Sequence, residues 1–210
     1  MASSEAEVVP VSQQHCQYCG QAFEGRNIDR LTGLLDRWGW EDRAERLLAD
    51  RRALPQVLLI IDLDRFKEIN DTYGHLAGDQ ILRTAAAGIA KGVRRGDIVG
   101  RYGGDEFLVL LPGDATQGCS VAHRIRHQLR VTPVTALDTD GEPVIVEGLT
   151  ASIGMATHTG AFHSPLPELL RRADGALLSA KRHGRDRVEM AERPPRLAPA
   201  VPEAPAALAS

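Results

Sequence analysis

Apolar positions along the chain repeat with two periods, and the switches between them mark out helices and strands. Trp40, Ala44, Leu47 and Leu48 share one helical face, and Asp36 just ahead of them is a suitable N-cap. Pro55 closes that region. Val57 to Ile61 is a continuous apolar run rich in β-branched residues, the pattern of a strand buried on both faces. Leu82, Ala85, Ala86, Ile89 and Val93 recur at i, i+3, i+4, i+7 and i+11, the stripe of a second helix. The strand-like runs IVGRY (98–102) and FLVLL (107–111) flank Gly103-Gly104, which predicts a hairpin. Val121, Ile125 and Leu129 mark a third helix, and VIVEGLTASIGMA (144–156) reads as one or two strands. Ser164 as N-cap and Pro165 as first helical residue open a fourth helix. Its stripe is Leu166, Leu169, Leu170, Ala173 and Leu177, Gly184 ends it, and RVEM (187–190) is a last short strand. Helices and strands in this order predict an α+β fold, an α/β-type sandwich of a sheet with helices packed on it.

Composition narrows the class. The chain has 210 residues, 43% hydrophobic and 25% charged, a globular balance sufficient for one domain. A net charge of −3 argues against a protein held to nucleic acid or anionic lipid by bulk charge. No run of large apolar residues exceeds five, so no membrane span is expected. The N-terminus lacks the basic and apolar regions of a secretion signal, and three cysteines are too few for a disulfide framework; a cytoplasmic home is expected. Three parts are expected: residues 1–28, residues 29–190 as the folded domain, and residues 191–210 as a disordered tail, 12 of whose 20 positions are Pro or Ala.

The chemistry gathers at strand ends. Asp62 and Asp64 follow the first buried strand, and Asp105 and Glu106 lie at the Gly-Gly turn. If the hairpin lies beside that strand, Asp62 and Asp105 meet. Adjacent carboxylates repel unless a cation lies between them, and oxygen donors without His or Cys suit Mg²⁺ or Mn²⁺ shared with substrate phosphates. Gly103 and Gly104 leave room for a bulky ligand to approach the backbone.

These residues carry a resemblance. RYGGDEF (101–107) resembles the signature of the GGDEF family of diguanylate cyclases. DLDRFKEINDTYGHLAGD (62–79), DRLTGLLDR (29–37) and AKRHGRDRV (180–188) are similar to the family's second, opening and closing blocks, so four blocks in order cover nearly the whole middle part. The resemblance implies a palm-like fold: a five-stranded, mostly antiparallel sheet surrounded by helices, with the GGDEF residues on a hairpin. It implies condensation of two GTP into cyclic di-GMP and two pyrophosphates by a homodimer. Asp62, Asp105 and the Leu63 carbonyl would ligate two divalent metals, and Glu106 would complete that site or help deprotonate the attacking hydroxyl. Asn70 and Asp79 would read guanine, the backbone of Arg65, Phe66 and Lys67 would cradle phosphates, and Lys181 and Arg185 would reach the triphosphate. Arg94 and Asp97 match the family's RxxD, an inhibitory site for the product. A further arginine usually joins from the next helix; Arg124 and Arg126 are both candidates.

Two positions depart from the family pattern: Asp36 stands for the usual Asn of the opening block, and Asp186 for that of the closing block. Cys16 and Cys19, with Gly20 after them, have the spacing of half a zinc ribbon. With no second CxxC, two chains would have to share a Zn²⁺ or a redox disulfide, either of which would promote pairing; the alternative is a vestigial CxxC that stays reduced. Cys119 reads as a small apolar residue of the third helix, and His123 and His127 as its exposed face. The competing functional class is a non-catalytic module that binds GTP or cyclic di-GMP and signals to a partner; a DNA-binding reading lacks a complete finger.

Overall fold

The computed structural model describes residues 27–160 and 165–192. Cys16, Cys19, Ser164 and the Pro/Ala-rich tail lie outside the described residues. Five helices, α1 (Arg37–Ala49), α2 (Phe66–Tyr73), α3 (His75–Gly92), α4 (Ala115–Val131) and α5 (Pro165–Arg182), surround a five-stranded sheet. The sheet runs β2 (Ile98–Gly103), β3 (Glu106–Pro112), β1 (Gln56–Leu63), β6 (Ala151–His158), β7 (Val188–Met190) in spatial order. All its pairings are antiparallel except β6 with β7.

Strand β1 is central, which accounts for its unbroken apolar run. Successive side chains point to opposite faces. Val57, Leu59, Ile61 and Leu63 pack with Ile81, Leu82, Ala85 and Ile89 of α3 and with Val121, Ile125 and Leu129 of α4. Leu58 and Ile60 face the other way, against Trp40, Ala44 and Leu48 of α1 and Leu169, Ala173 and Leu177 of α5. Each sheet face thus has its own apolar layer, and the helical stripes legible in the sequence are the surfaces that cover them. Asp36 caps α1 by accepting from the Gly39 amide, as its short carboxylate predicts. Cys119 is half-buried against the α3–α4 side of the core, and His123 and His127 are exposed.

Two elements go beyond the sequence reading, a short helix and the first strand of a second sheet, whereas residues 144–156 do form two strands. The stretch after Asp64 forms a separate short helix, α2, which Gly74 divides from α3. A second two-stranded sheet, β4 (Val134–Leu137) with β5 (Pro143–Val146), follows α4. Its turn is closed by Asp138, whose Oδ1 accepts from the amides of Asp140 and Glu142 at 2.9 Å each.

Candidate active site

The hairpin between β2 and β3 places the acidic residues. Gly103 and Glu106 pair across a turn made of Gly104 and Asp105. Strand β3 lies beside β1, and its register sets Glu106 directly opposite Asp62. The Leu63 amide donates to the Asp105 carbonyl at 3.3 Å, joining the turn to the end of β1. Asp62, Asp105 and Glu106 therefore meet at one end of the sheet. Asp62 lies inside β1 rather than just after it.

Electrostatics mark this junction. Burial pushes the Asp62 carboxyl above the usual range; the Lys181 hydrogen bond opposes the rise, and the charges of Asp105 and Asp64 add to it. Glu106 is raised by burial first, then by the charges of Asp62 and Asp174. The only cation bonded to Asp62 among the described residues is Lys181, from the last turn of α5, whose Nζ donates to Oδ2 at 2.7 Å. Among the described residues no three His, Cys, Asp or Glu side chains are arranged to enclose a metal ion. The donor chemistry nevertheless suits a hard divalent cation: carboxylates alone, mutually repelling and already attracting an ammonium group.

Asp64 serves a different purpose. It is buried, and its Oδ1 accepts from Ser152 Oγ at 2.6 Å while Oδ2 accepts from Thr150 Oγ1 at 2.8 Å and from the Asp186 amide at 3.0 Å. These bonds tie β1, β6 and the turn after α5 together.

The remaining predicted ligand residues lie on α2, on α3 and in the turn after α5. Arg65 has a left-handed φ of 57° and caps α2, so the Arg65–Lys67 backbone turns sharply just past β1. Phe66 packs on the core, whereas Lys67 is exposed and paired with Asp71. Asn70 faces α3, and its buried Oδ1 has no hydrogen-bond partner. A Cβ on Gly78 would lie 1.8 Å from that oxygen, so a side chain there would displace the Asn70 amide from its place between the two helices. Asp79 follows Gly78 and is half-buried. Arg185 is exposed in the turn after α5.

The family model described as "Diguanylate cyclase, GGDEF domain" matches residues 26–187. The chain belongs to the GGDEF-domain family. It is 42% identical over 166 residues to diguanylate cyclase DosC of Escherichia coli, covering 78% of this chain and 35% of that protein. It is 38% identical over 165 residues to the response regulator PleD of Caulobacter vibrioides, covering 76% and 35%. The chain thus spans about a third of the length of these curated relatives. The GGDEF domain of DgcB from Caulobacter crescentus, solved in complex with c-di-GMP, superposes with a TM-score of 0.70 at 29% identity, covering 79% of this chain and 95% of that one. The GGDEF domain of YfiN (TpbB) from Pseudomonas aeruginosa gives 0.68 at 37% identity, covering 79% and 94%.

In this GGDEF domain the signature turn is braced from the opening block. Arg101 Nε donates to the Gly104 carbonyl at 2.9 Å, and its Nη1 donates to both Asp29 oxygens at 3.2 Å. Burial raises the Asp29 carboxyl, but bonds from Thr32 and the charge of Arg101 outweigh it and leave the group below its usual range. The sequence reading included neither brace residue, although both lie in matched blocks.

The RxxD residues lie between α3 and β2. The Asp97 side chain is only 1% exposed and its Oδ2 accepts from the Arg94 amide, so it orders the turn from within. Burial raises its carboxyl, opposed by Arg94 and by the charge of Arg124. The Arg94 guanidinium is exposed and donates to the Pro112 carbonyl. Of the two helix arginines, Arg124 reaches this region, donating to the Gly92 carbonyl at 2.7 Å. Arg126 points to Asp186 instead. No helix among the described residues is long and apolar enough to cross a membrane.

Proposed function

We propose that this protein is a diguanylate cyclase that condenses two GTP into cyclic di-GMP and two pyrophosphates. The observation that carries the reading is the register of β1 against β3, which sets Asp62 opposite Glu106 with Asp105 at the adjoining turn. Asp62, Asp105, Glu106 and the Leu63 carbonyl would hold Mg²⁺ or Mn²⁺, two ions per half-site. Bound there, such ions supply charge stabilisation for the attacking and leaving oxygens of an in-line phosphoryl transfer.

The chain's own groups take the remaining tasks. Asn70 and Asp79 hold the guanine edge; a carboxylate accepts from the ring N–H and exocyclic amine of guanine, a pair adenine does not present. The amides of Arg65 to Lys67 cradle phosphate oxygens, and the open side of Gly103 and Gly104 admits the nucleotide. Lys181 and Arg185 neutralise the triphosphate. The 3′-hydroxyl of each GTP attacks the α-phosphorus of the other, and Glu106 helps remove its proton. A P–O bond forms as the α–β bridge breaks, and pyrophosphate leaves. Two loaded domains must face each other, so the active species is a homodimer. Product binds at Arg94, Asp97 and Arg124, where the two guanidinium groups grip phosphate and guanine and Asp97 orders the turn.

The test is incubation of the purified full chain with GTP and Mg²⁺ or Mn²⁺, followed by chromatography. Cyclic di-GMP formed by the wild type and abolished by Asp105→Ala supports the enzyme. GTP binding without turnover replaces this reading with the sensing module. Metal analysis of the same preparation tests whether Cys16 and Cys19 carry Zn²⁺ between two chains.

A further inference from the structure

The turn after α5 is fixed more firmly than its length requires. Arg185 and Asp186 are consecutive non-glycine residues with φ of 62° and 42°, a conformation that L side chains disfavour and that persists only when its surroundings enforce it. Here the enforcement is visible. The Arg185 amide donates to the Ala180 carbonyl at 3.0 Å, and the Asp186 amide donates to buried Asp64 at 3.0 Å. The Asp186 carboxylate then accepts from two arginines of α4: Arg126 Nε at 2.7 Å and Arg130 Nη1 at 3.2 Å. Arg126 and Asp186 are both largely covered, at 25% and 22% side-chain exposure, so this pair is shielded more than an ordinary surface pair. One residue later, the Arg187 carbonyl accepts from Ile153 of β6.

Within this braced turn Arg185 stands apart. It is exposed, and its guanidinium makes no hydrogen bond or ion pair among the described residues. Asp186 beside it is committed through both its amide and its carboxylate, and the Arg185 arm is left free. A fixed backbone under a free guanidinium lowers the ordering cost of gripping an anion.

We propose that Asp186, clamped by Arg126 and Arg130, is a positioning residue that presents Arg185 to the triphosphate of GTP. The inference rests on the cyclase reading for the identity of the ligand and deepens it. It also gives a use to the acidic residue at 186: a carboxylate accepts from two guanidinium groups with full charge, whereas an amide offers one neutral oxygen.

The experiment is equilibrium binding of a non-hydrolysable GTP analogue and of GMP to the full chain. The proteins are wild type, Asp186→Ala, Arg185→Ala and the double variant. We expect Asp186→Ala to weaken the triphosphate analogue about tenfold while leaving GMP unchanged, and to add nothing in the Arg185→Ala background. Asp186→Asn should recover part of the loss. The proposal is overturned by additive losses, by equal weakening of GMP, or by unchanged affinity in a folded Asp186→Ala protein. Should Asp186→Ala fail to fold, Arg126→Gln with Arg130→Gln removes the same clamp and must show the same non-additivity. Normal analogue binding with no turnover of GTP would sink the cyclase reading and leave the positioning result standing, so the two failures are distinguishable.

Discussion

Lys181 Nζ and Asp62 Oδ2 lie 2.7 Å apart although 119 positions separate them in the chain. The ammonium group thus neutralises the carboxylate that also faces Glu106. A divalent cation arriving at Asp62 must compete with it. Removing the lysine charge with Lys181→Met should weaken GTP binding yet favour the bare metal. A partly covered pair of this kind contributes about 0.5–1.5 kcal/mol, so the metal midpoint should fall roughly twofold to tenfold. Thermal unfolding titrated with Mn²⁺ reads this directly, and an unchanged midpoint refutes the competition.

Gly103 separates folding from function. A Cβ there meets no protein atom within 4 Å, and its φ lies outside the left-handed region. Gly103→Ala should therefore change stability by less than about 0.5 kcal/mol. It should raise KM for GTP at least about tenfold if nucleotide lies against that backbone. A folded variant with wild-type kinetics would show that the glycine serves no ligand.

Asp29 gives a pH dependence. Its carboxyl is lowered in the folded state, so its contribution is present above the unfolded value near 3.8 and lost as pH falls through the folded one. Asp29→Asn should cost about 1–2 kcal/mol at pH 7 through loss of the Arg101 and Thr32 bonds. That difference from wild type should shrink in denaturant melts between pH 6 and pH 3. A difference that grows toward acid contradicts the assignment.

Arg124 and Arg126 should separate in a product-inhibition assay. Arg124 lies toward Arg94 and Asp97, whereas Arg126 is bound to Asp186. Arg94→Ala and Arg124→Ala should each weaken cyclic di-GMP binding by about tenfold or more, while Arg126→Ala leaves product affinity unchanged. Calorimetry on the three variants decides it; equal losses for Arg124 and Arg126 reject the assignment.

Much of this architecture was legible because it follows from periodicity. The stripes through Trp40, Leu82, Val121 and Leu169 are the faces that bury the two sides of β1. The four-residue strand β4 is too short for a strong alternating signal, though Asp140-Gly141 between β-branched runs is a recognisable hairpin turn. The structural role of Asp64 was not legible, because spacing alone cannot separate a free carboxylate from one already bonded by Thr150 and Ser152. The choice between Arg124 and Arg126 depended on how α4 is rotated over the sheet, a tertiary property that no local pattern encodes.

The order in which the ribosome delivers these groups has its own consequence. Asp62, Asp105 and Glu106 emerge long before Lys181 and Asp186, which arrive on the last helix and the turn beyond it. A nascent chain halted before α5 carries the acidic cluster without its protein counter-charge and leaves Asp64 without its Asp186 partner. The acidic end of the sheet is therefore completed last, by the stretch that closes the sheet through β7.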